Sequence, residues 1–269
     1  MTVRLIATDL DGTIVRADGT VSDRTRDALR AAEDAGLVVV LVTGRPPRWM
    51  GEIVEATGHR GIAICANGAL VYDLHTERVI REHPMDVEVA RKLTEVLRGA
   101  LPEVSFAIEM GVRGFGHEPA YRPRFEPPPD AIVAELDELL SAPVVKVLAR
   151  HEGMDPDDLH RAATEVIADL AELVTVTFGG TDGLVELSAA GVTKAYGLEQ
   201  LAREQGIGAG EVVAFGDMPN DLPMLVWAGR AVAVANAHPD VLAVADEVTA
   251  SNDDDGVALV VERLLATRP

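Results

Sequence analysis

Thr8-Asp9-Leu10-Asp11-Gly12-Thr13 follows the apolar run Val3-Arg4-Leu5-Ile6-Ala7. The run predicts the first buried strand of a parallel sheet. Two carboxylates then leave the strand's C-terminal end two residues apart, and residues i and i+2 of an extended chain point the same way. Gly12 removes a side chain where the backbone turns and another group can approach closely. The C-terminal ends of parallel strands are where open α/β sheets bind ligands. The pair therefore reads as a carboxylate nucleophile, Asp9, beside a carboxylate acid/base, Asp11, sharing one divalent metal. The competing structural reading is a plain turn, since Asp-Gly is a common turn pair and acids cap helices. The remaining sequence has to separate the two.

Composition narrows the field. A chain of 269 residues, 48% hydrophobic and 25% charged, has material for one large domain or two moderate ones. A formal charge of −20 disfavours nucleic acid and anionic membranes as partners. An anionic substrate would have to be drawn in by a local metal or basic cluster. The single cysteine, Cys65, excludes an intramolecular disulfide framework and reads as a buried apolar residue within Gly61-Ile62-Ala63-Ile64-Cys65. No basic region followed by an apolar segment opens the chain, and no apolar run reaches membrane-spanning length, so a cytoplasmic location is expected.

Outward from the first stretch, Ser22 is a candidate N-cap for a helix with Ala28, Leu29, Ala32 and Ala35 on one face, stopped by Gly36. Leu37 to Val42 is a second buried strand. It ends in Thr43-Gly44-Arg45-Pro46-Pro47, whose prolines suit the first turn of a new helix. Thr43 and the loop amides thus stand at a strand end near a helix start, a favourable place for an oxyanion. Gly61 to Cys65 predicts a third strand, followed by Ala66-Asn67-Gly68, and Asn-Gly is also a strong hairpin signal. Ala69–Asp73 and Arg78–Glu82 predict the arms of a small hairpin.

The pattern changes near His83-Pro84. Helices are expected over Asp86–Arg98, Asp130–Leu140 and from Asp155-Pro156 to about Leu170. Strands are expected over Val104–Glu109, Val112–His117, Val144–Arg150, Leu173–Phe178 and Leu184–Leu187, the last two flanking Gly179-Gly180-Thr181-Asp182-Gly183. This order is not simple βα alternation and reads as a second α+β domain inserted into the first. The insert's basic residues Arg113, His117, Arg122, Arg124, Lys146 and Arg150 are expected mostly at the surface, with one or two reaching a substrate's far end.

From Gly191 the βα pattern returns. Thr193 and Lys194 precede a helix through Leu198, Leu201 and Ala202. Glu211 to Phe215 is an apolar strand ending in Gly216-Asp217-Met218-Pro219-Asn220-Asp221, where Asn220 or Asp217 is equally a candidate cap for the next helix. Ala231 to Ala235 is a further strand. Val257, Val260, Val261, Leu264 and Leu265 mark an amphipathic terminal helix, and Asp253-Asp254-Asp255 fits its N-terminus and dipole.

Asp9/Asp11, Thr43, Lys194 and Asp217/Asn220/Asp221 thus stand in one order, each at a strand end or helix start. In this combination the chain resembles the haloacid dehalogenase superfamily of phosphohydrolases. The insertion between Thr43 and Lys194 looks like the C2 cap of the Cof-type branch (subfamily IIB). Gly191-Val192-Thr193-Lys194 and Thr249 to Val257 are similar to that branch's later signatures. Ala235, in Val234-Ala235-Asn236-Ala237, stands where the family usually has glycine. The resemblance covers nearly the whole core and is architectural only in the cap.

It implies an α/β fold, a Rossmann-like parallel-sheet core of residues 1–83 and 189–269 with an inserted C2-type α+β cap of residues 84–188. It implies Mg²⁺ held by Asp9 and Asp217, by Asp11 through its carbonyl, and by Asp221 or Asn220 in the outer shell. Asp9 would attack phosphorus to give an aspartyl phosphate, and Asp11 would protonate the leaving alkoxide and then activate water. Thr43 would bond a phosphoryl oxygen, and Lys194 would neutralise charge on the transferring group. Gly44, Arg45, Asn67 and Asn220 are substrate-side candidates. The implied substrate is a small phosphorylated metabolite such as a sugar phosphate, acted on by a monomer or homodimer. A phosphomutase and a non-catalytic sugar-phosphate sensor are the competing functions. The mutase lacks a clear second phosphate site, and a dead sensor would be expected to have lost Asp9, Asp11 or Lys194.

Overall fold

The computed structural model describes residues 2–178 and 183–268. In chain order it begins with β1 (Leu5–Thr8), α1 (Asp23–Asp34), β2 (Val38–Val42), α2 (Met50–Thr57), β3 (Ile62–Cys65), β4 (Leu70–Asp73) and β5 (Arg78–Glu82). There follow α3 (Val87–Ala100), β6 (Ser105–Glu109), β7 (Phe115–His117), β8 (Ile132–Val133), α4 (Leu136–Leu139), β9 (Lys146–Arg150), α5 (Pro156–Val166), β10 (Val174–Thr177) and β11 (Leu184–Ala189). The chain then forms α6 (Lys194–Glu204), β12 (Val212–Gly216), α7 (Leu222–Trp227), β13 (Arg230–Ala233), α8 (Pro239–Val244), β14 (Glu247–Val248) and α9 (Gly256–Ala266). These elements divide into two compact units, Met1–Arg81 with Thr193–Pro269, and Glu82–Val192.

The first unit is built on an eight-stranded sheet of order β14-β13-β12-β1-β2-β3-β4-β5. From β14 to β3 the neighbours run parallel, and β4 turns back antiparallel on β3. All of β1, and Val39 to Val42 and Val212 to Phe215, are buried, as uninterrupted apolar strands covered on both faces must be. Leu5 stands opposite Val212 on one side and Val38 on the other, so β1 is the middle of the sheet. The chain leaves β1 towards β2 in one direction and returns after the second unit to β12 in the other. That reversal leaves a crevice at the C-terminal ends of β12, β1 and β2. Ser22 caps α1, its hydroxyl accepting the Thr25 N–H at 3.0 Å, and Ala28, Leu29 and Ala32 form the buried stripe. The aspartates before α9 stand at its N-terminus, where the dipole reading put them, without capping it. Asp255 takes the N-cap position with φ 60° but makes no cap bond; its carboxylate accepts from Arg16 at 2.7 Å and Ser22 at 2.6 Å.

The second unit carries a six-stranded sheet of order β10-β11-β9-β6-β7-β8, antiparallel except where β7 meets β8. Its strands alternate. Phe106, Ile108, Val147, Ala149, Val185 and Leu187 share one apolar cluster with Leu93 and Leu97 of α3 and Leu159 and Ala163 of α5. Ala107 and Leu148 alternate with them and pack with Phe115 and Tyr121 in a separate small cluster.

Several local expectations change here. Asp130–Leu140 is not one helix: Ile132 and Val133, both β-branched, pair with Gly116 and His117 as β8, and only Leu136–Leu139 is helical. Val112–His117 is not one strand, because Gly111 and Gly114 adopt φ 62° and 101° and confine a 3₁₀ turn between them, leaving Phe115–His117. The helix after Asp155 stops at Val166 and continues as a 3₁₀ turn over Ala168–Leu170. Lys146 and His117 are buried rather than at the surface, and Lys146 pairs with Glu186 at 2.7 Å. The turn expected at Gly179 to Asp182 lies outside the described residues. Among the described residues no helix is long and apolar enough to cross a membrane.

Candidate active site

Each polar group of the crevice is set by the element it ends or begins. Asp9 follows the last residue of β1, and its N–H donates to Phe215 of β12 at 3.0 Å. After it the Leu10 carbonyl accepts three successive N–H groups, from Thr13, Ile14 and Val15, and folds the chain into a tight turn. Gly12 sits in that turn with φ 83°, and a Cβ there would lie 2.2 Å from Asp217 Oδ2, so only glycine lets β1's turn and β12's loop approach. Thr13, 1% exposed, donates its hydroxyl to Asp217 Oδ1 at 3.0 Å. Asp217 directly follows β12. Asp221, fully buried, accepts the N–H groups of Asp217 and Met218 at 3.0 Å each through Oδ2. It occupies the N-cap position of α7 yet makes no cap bond there. The reading of Asp217 or Asn220 as a mere cap therefore gives way to a carboxylate that braces the loop.

Lys194 is the first residue of α6, after Thr193, whose hydroxyl accepts the Tyr196 N–H. A cation at a helix N-terminus opposes the helix dipole. It is held there by carboxylates: its Nζ donates to Asp9 Oδ1 at 2.6 Å and to Asp221 Oδ1. Ligand oxygens of Asp9, Asp217 and Asp221 all lie within 4.8 Å of one another, and all three residues are buried. Segments separated by about two hundred residues of chain thus meet in one cluster, as the sequence motifs required.

The electrostatics of that cluster are unbalanced. Burial, then the charge of Asp221, raises Asp9 well above the usual carboxylate range, and Lys194 only partly offsets them. The same two causes push Asp217 up to about 7, against the opposing pull of Lys194 and the Thr13 hydroxyl. Burial works against the Lys194 ammonium, yet the attraction of Asp221 and Asp9 outweighs it and holds the lysine above its ordinary value. Three carboxylates against one ammonium leave two negative charges when all are ionised. An all-oxygen donor set with that residual charge fits a hard divalent cation.

A test follows from the sign of the Asp217 shift. A carboxyl raised from 3.8 to about 7 contributes stability that is complete at low pH and lost as pH rises through about 7. The melting temperature of chelator-treated protein should therefore fall between pH 6 and pH 8. A saturating divalent cation, if the cluster holds one, should flatten that slope and raise the melting temperature at pH 8, since a ligand at a hundredfold its Kd adds about 2.7 kcal/mol. Thermal melts with and without chelator check both; a pH-independent melting temperature would refute the charge imbalance.

The other candidates take these places. Thr43 is 1% exposed; its hydroxyl accepts the Arg45 N–H and its carbonyl the Asn67 N–H, both at 3.0 Å. Gly44 is half-buried beside it. Asp11 is half-exposed, and both its carboxylate oxygens are taken by the Arg45 guanidinium, at 2.6 and 2.8 Å. Arg45, read from sequence as substrate-facing, is thus a bidentate partner of Asp11. Asn67 and Asn220 are buried and bonded to each other, Asn220 Nδ2 donating to Asn67 Oδ1 at 3.2 Å. Sequence reasoning gave no positioning role to Thr13 or to Asn236, whose amide nitrogen donates to the Gly12 carbonyl at 2.8 Å. Thr13's place within the first motif was the available signal; Asn236 had none beyond its loop.

A family model described as haloacid dehalogenase-like hydrolase matches residues 6–261. The chain is 32% identical to pyridoxal phosphate phosphatase YbhA of Escherichia coli, across 96% of this chain and 97% of that protein. It is 28% identical to 5-amino-6-(5-phospho-D-ribitylamino)uracil phosphatase YcsE of Bacillus subtilis, across 96% and 94%. Among solved structures it is similar to BT1666 of Bacteroides thetaiotaomicron, described among phosphatases of the HAD superfamily. The TM-score is 0.80 and the identity 26%, covering 98% of this chain and 95% of that one. The chain belongs to the haloacid dehalogenase-like hydrolase family, and its motifs' placement in the Cof-type branch stands.

Proposed function

We propose that this phosphatase of the haloacid dehalogenase-like hydrolases releases inorganic phosphate from small phosphomonoesters, sugar phosphates among them, with Mg²⁺ as its cofactor. The observation that carries the reading is the buried cluster in which Asp9 shares Lys194 with Asp221 and lies within ligand distance of Asp217. A relative named for pyridoxal phosphate and another for a phosphorylated ribityl compound support a small phosphomonoester as the substrate class. Asp9 and Asp217 supply the carboxylate oxygens that would hold Mg²⁺, with the Asp11 carbonyl, while Asp221 is occupied with the Asp217 and Met218 amides and Lys194. When bound, the cation offsets the repulsion between a phosphate dianion and the Asp9 carboxylate and orients a phosphoryl oxygen.

The chain's own groups perform the rest. Asp9 attacks phosphorus while the ester oxygen leaves, giving an aspartyl phosphate that water then hydrolyses. Lys194 fixes the Asp9 carboxylate and neutralises charge on the transferring group. Thr43 bonds a phosphoryl oxygen. Asp11 gives a proton to the leaving oxygen and later takes one from the attacking water. To do so it must part from Arg45, and an arriving phosphate gives that guanidinium another anion to bond.

Asp11→Ala should lower kcat about 10²–10⁴-fold with alkyl phosphates, whose leaving groups need a proton, and much less with activated aryl phosphates. Equal losses across a leaving-group series would remove Asp11 as the acid. The decisive experiment is a phosphate-release screen over phosphorylated metabolites with and without chelator. Release that stops with chelator and returns with Mg²⁺ is expected; transfer to a second sugar without free phosphate would instead indicate a mutase.

A further inference from the structure

One segment of the crevice carries backbone strain that the reaction scheme does not use. Ala66, Asn67 and Gly68, at the end of β3, adopt φ 51°, 56° and 99° in succession. Two non-glycine residues in the left-handed region side by side cost free energy and persist only where the surroundings over-determine them. Here they do. The Ala66 N–H donates to the Arg45 carbonyl and the Asn67 N–H to the Thr43 carbonyl, each at 3.0 Å. A Cβ on Gly68 would lie 1.9 Å from the Thr193 carbonyl oxygen, so the turn is pressed against the residue before Lys194. The turn therefore touches the loop after β2 and the start of α6 together.

The side chain at its centre faces the third loop. Asn67 is 1% exposed, and its Oδ1 accepts from Asn220 Nδ2. That bond commits the Asn220 amide to one of its two flips. It leaves Asn220 Oδ1 buried without a partner in the protein, an acceptor that only a bound donor can satisfy. Asn220 itself is 8% exposed and precedes Asp221, which pairs with Lys194.

We propose that Asn67 is a positioning residue that acts through Asn220: its amide oxygen fixes the Asn220 amide with Oδ1 turned to the bound substrate or its water. This rests on the phosphatase reading above. Asparagine suits the place because it tolerates the left-handed region and also supplies the acceptor.

The test is a double-mutant cycle on the full chain with Mg²⁺ and a phosphomonoester that wild type hydrolyses. Asn67→Gly keeps the left-handed backbone and removes the side-chain amide, the acceptor for Asn220 with it. It should lower kcat about 10–100-fold, the range for partners that orient a liganding group, with melting temperature close to wild type. Asn220→Ala should lower kcat by a similar factor, and the double variant no further than Asn220→Ala alone. Asn67→Asp, which keeps the acceptor and the backbone preference, should recover most of the kcat lost in Asn67→Gly. Multiplying losses in the double variant, or Asn67→Gly with wild-type kcat, overturns the inference while leaving the phosphatase reading intact. A loss in Asn67→Gly confined to KM overturns it too, since it would place Asn67 in substrate binding. Wild-type protein that releases phosphate from no ester overturns both.

Discussion

Asp9→Asn is expected to abolish phosphate release, lowering kcat by about 10⁴-fold or more, the scale seen when a covalent nucleophile is removed. The amide matches the carboxylate in size, so the packing of β1 against β12 stays as it is. It cannot form the acyl phosphate, and it gives Lys194 a neutral partner in place of one of its two anions. The fold should not suffer. Asp9 is raised well above the usual range by burial and by Asp221, so the cluster already resists a charge at this position. Metal-free Asp9→Asn should melt no lower than wild type at pH 8. Phosphate release and thermal melts on the same preparation check both parts. Turnover at the wild-type rate would end the nucleophile assignment.

Lys194→Met carries the second large effect, on stability as well as rate. The substitution preserves the volume of a side chain that is 1% exposed but leaves Asp9 and Asp221 facing each other without a cation. Breaking a buried pair by removing one member destabilises by about 3–5 kcal/mol. Part of that loss should return on acidification to pH 5.5, where Asp9, already raised by burial, takes up a proton, and part on addition of a divalent cation. Activity should not return: removal of a charge that stabilises the transferring group lowers kcat by about 10²–10³-fold or more. A variant with wild-type stability at pH 8 and restored turnover in Mg²⁺ would show that the ammonium is dispensable.

The core was legible because central parallel strands are written as uninterrupted apolar runs. Val38 to Val42 and Val212 to Phe215 admit few other readings, and the polar residues after each run mark the ligand-binding end. The cluster itself required the resemblance, since periodicity alone does not bring Lys194 to Asp9. The second unit was less legible for the opposite reason. Its strands alternate instead of running apolar throughout, and the glycines at 111 and 114 redirect the chain within the Val112–His117 stretch that reads in sequence as one strand. Ile132 and Val133 fit a helical spacing with Leu136 and Leu140, but pairing with β7 decided their state. Arg45 was placed on the substrate side from its position in an oxyanion loop, but its bidentate pairing with Asp11, 34 residues earlier, depends on a proximity that the sequence does not carry.

The centrality of β1 has a consequence for synthesis. Its hydrogen-bonding neighbour on one side, β2, emerges within a few dozen residues, but the other, β12, begins only at Val212. Until the ribosome has passed that point, Leu5 to Thr8 present a bare, largely apolar strand edge to the surroundings. Such an edge invites pairing with other nascent chains. A stalled or truncated product ending before Val212 should accordingly be recovered in aggregates or on chaperones, even with every residue of the second unit in place.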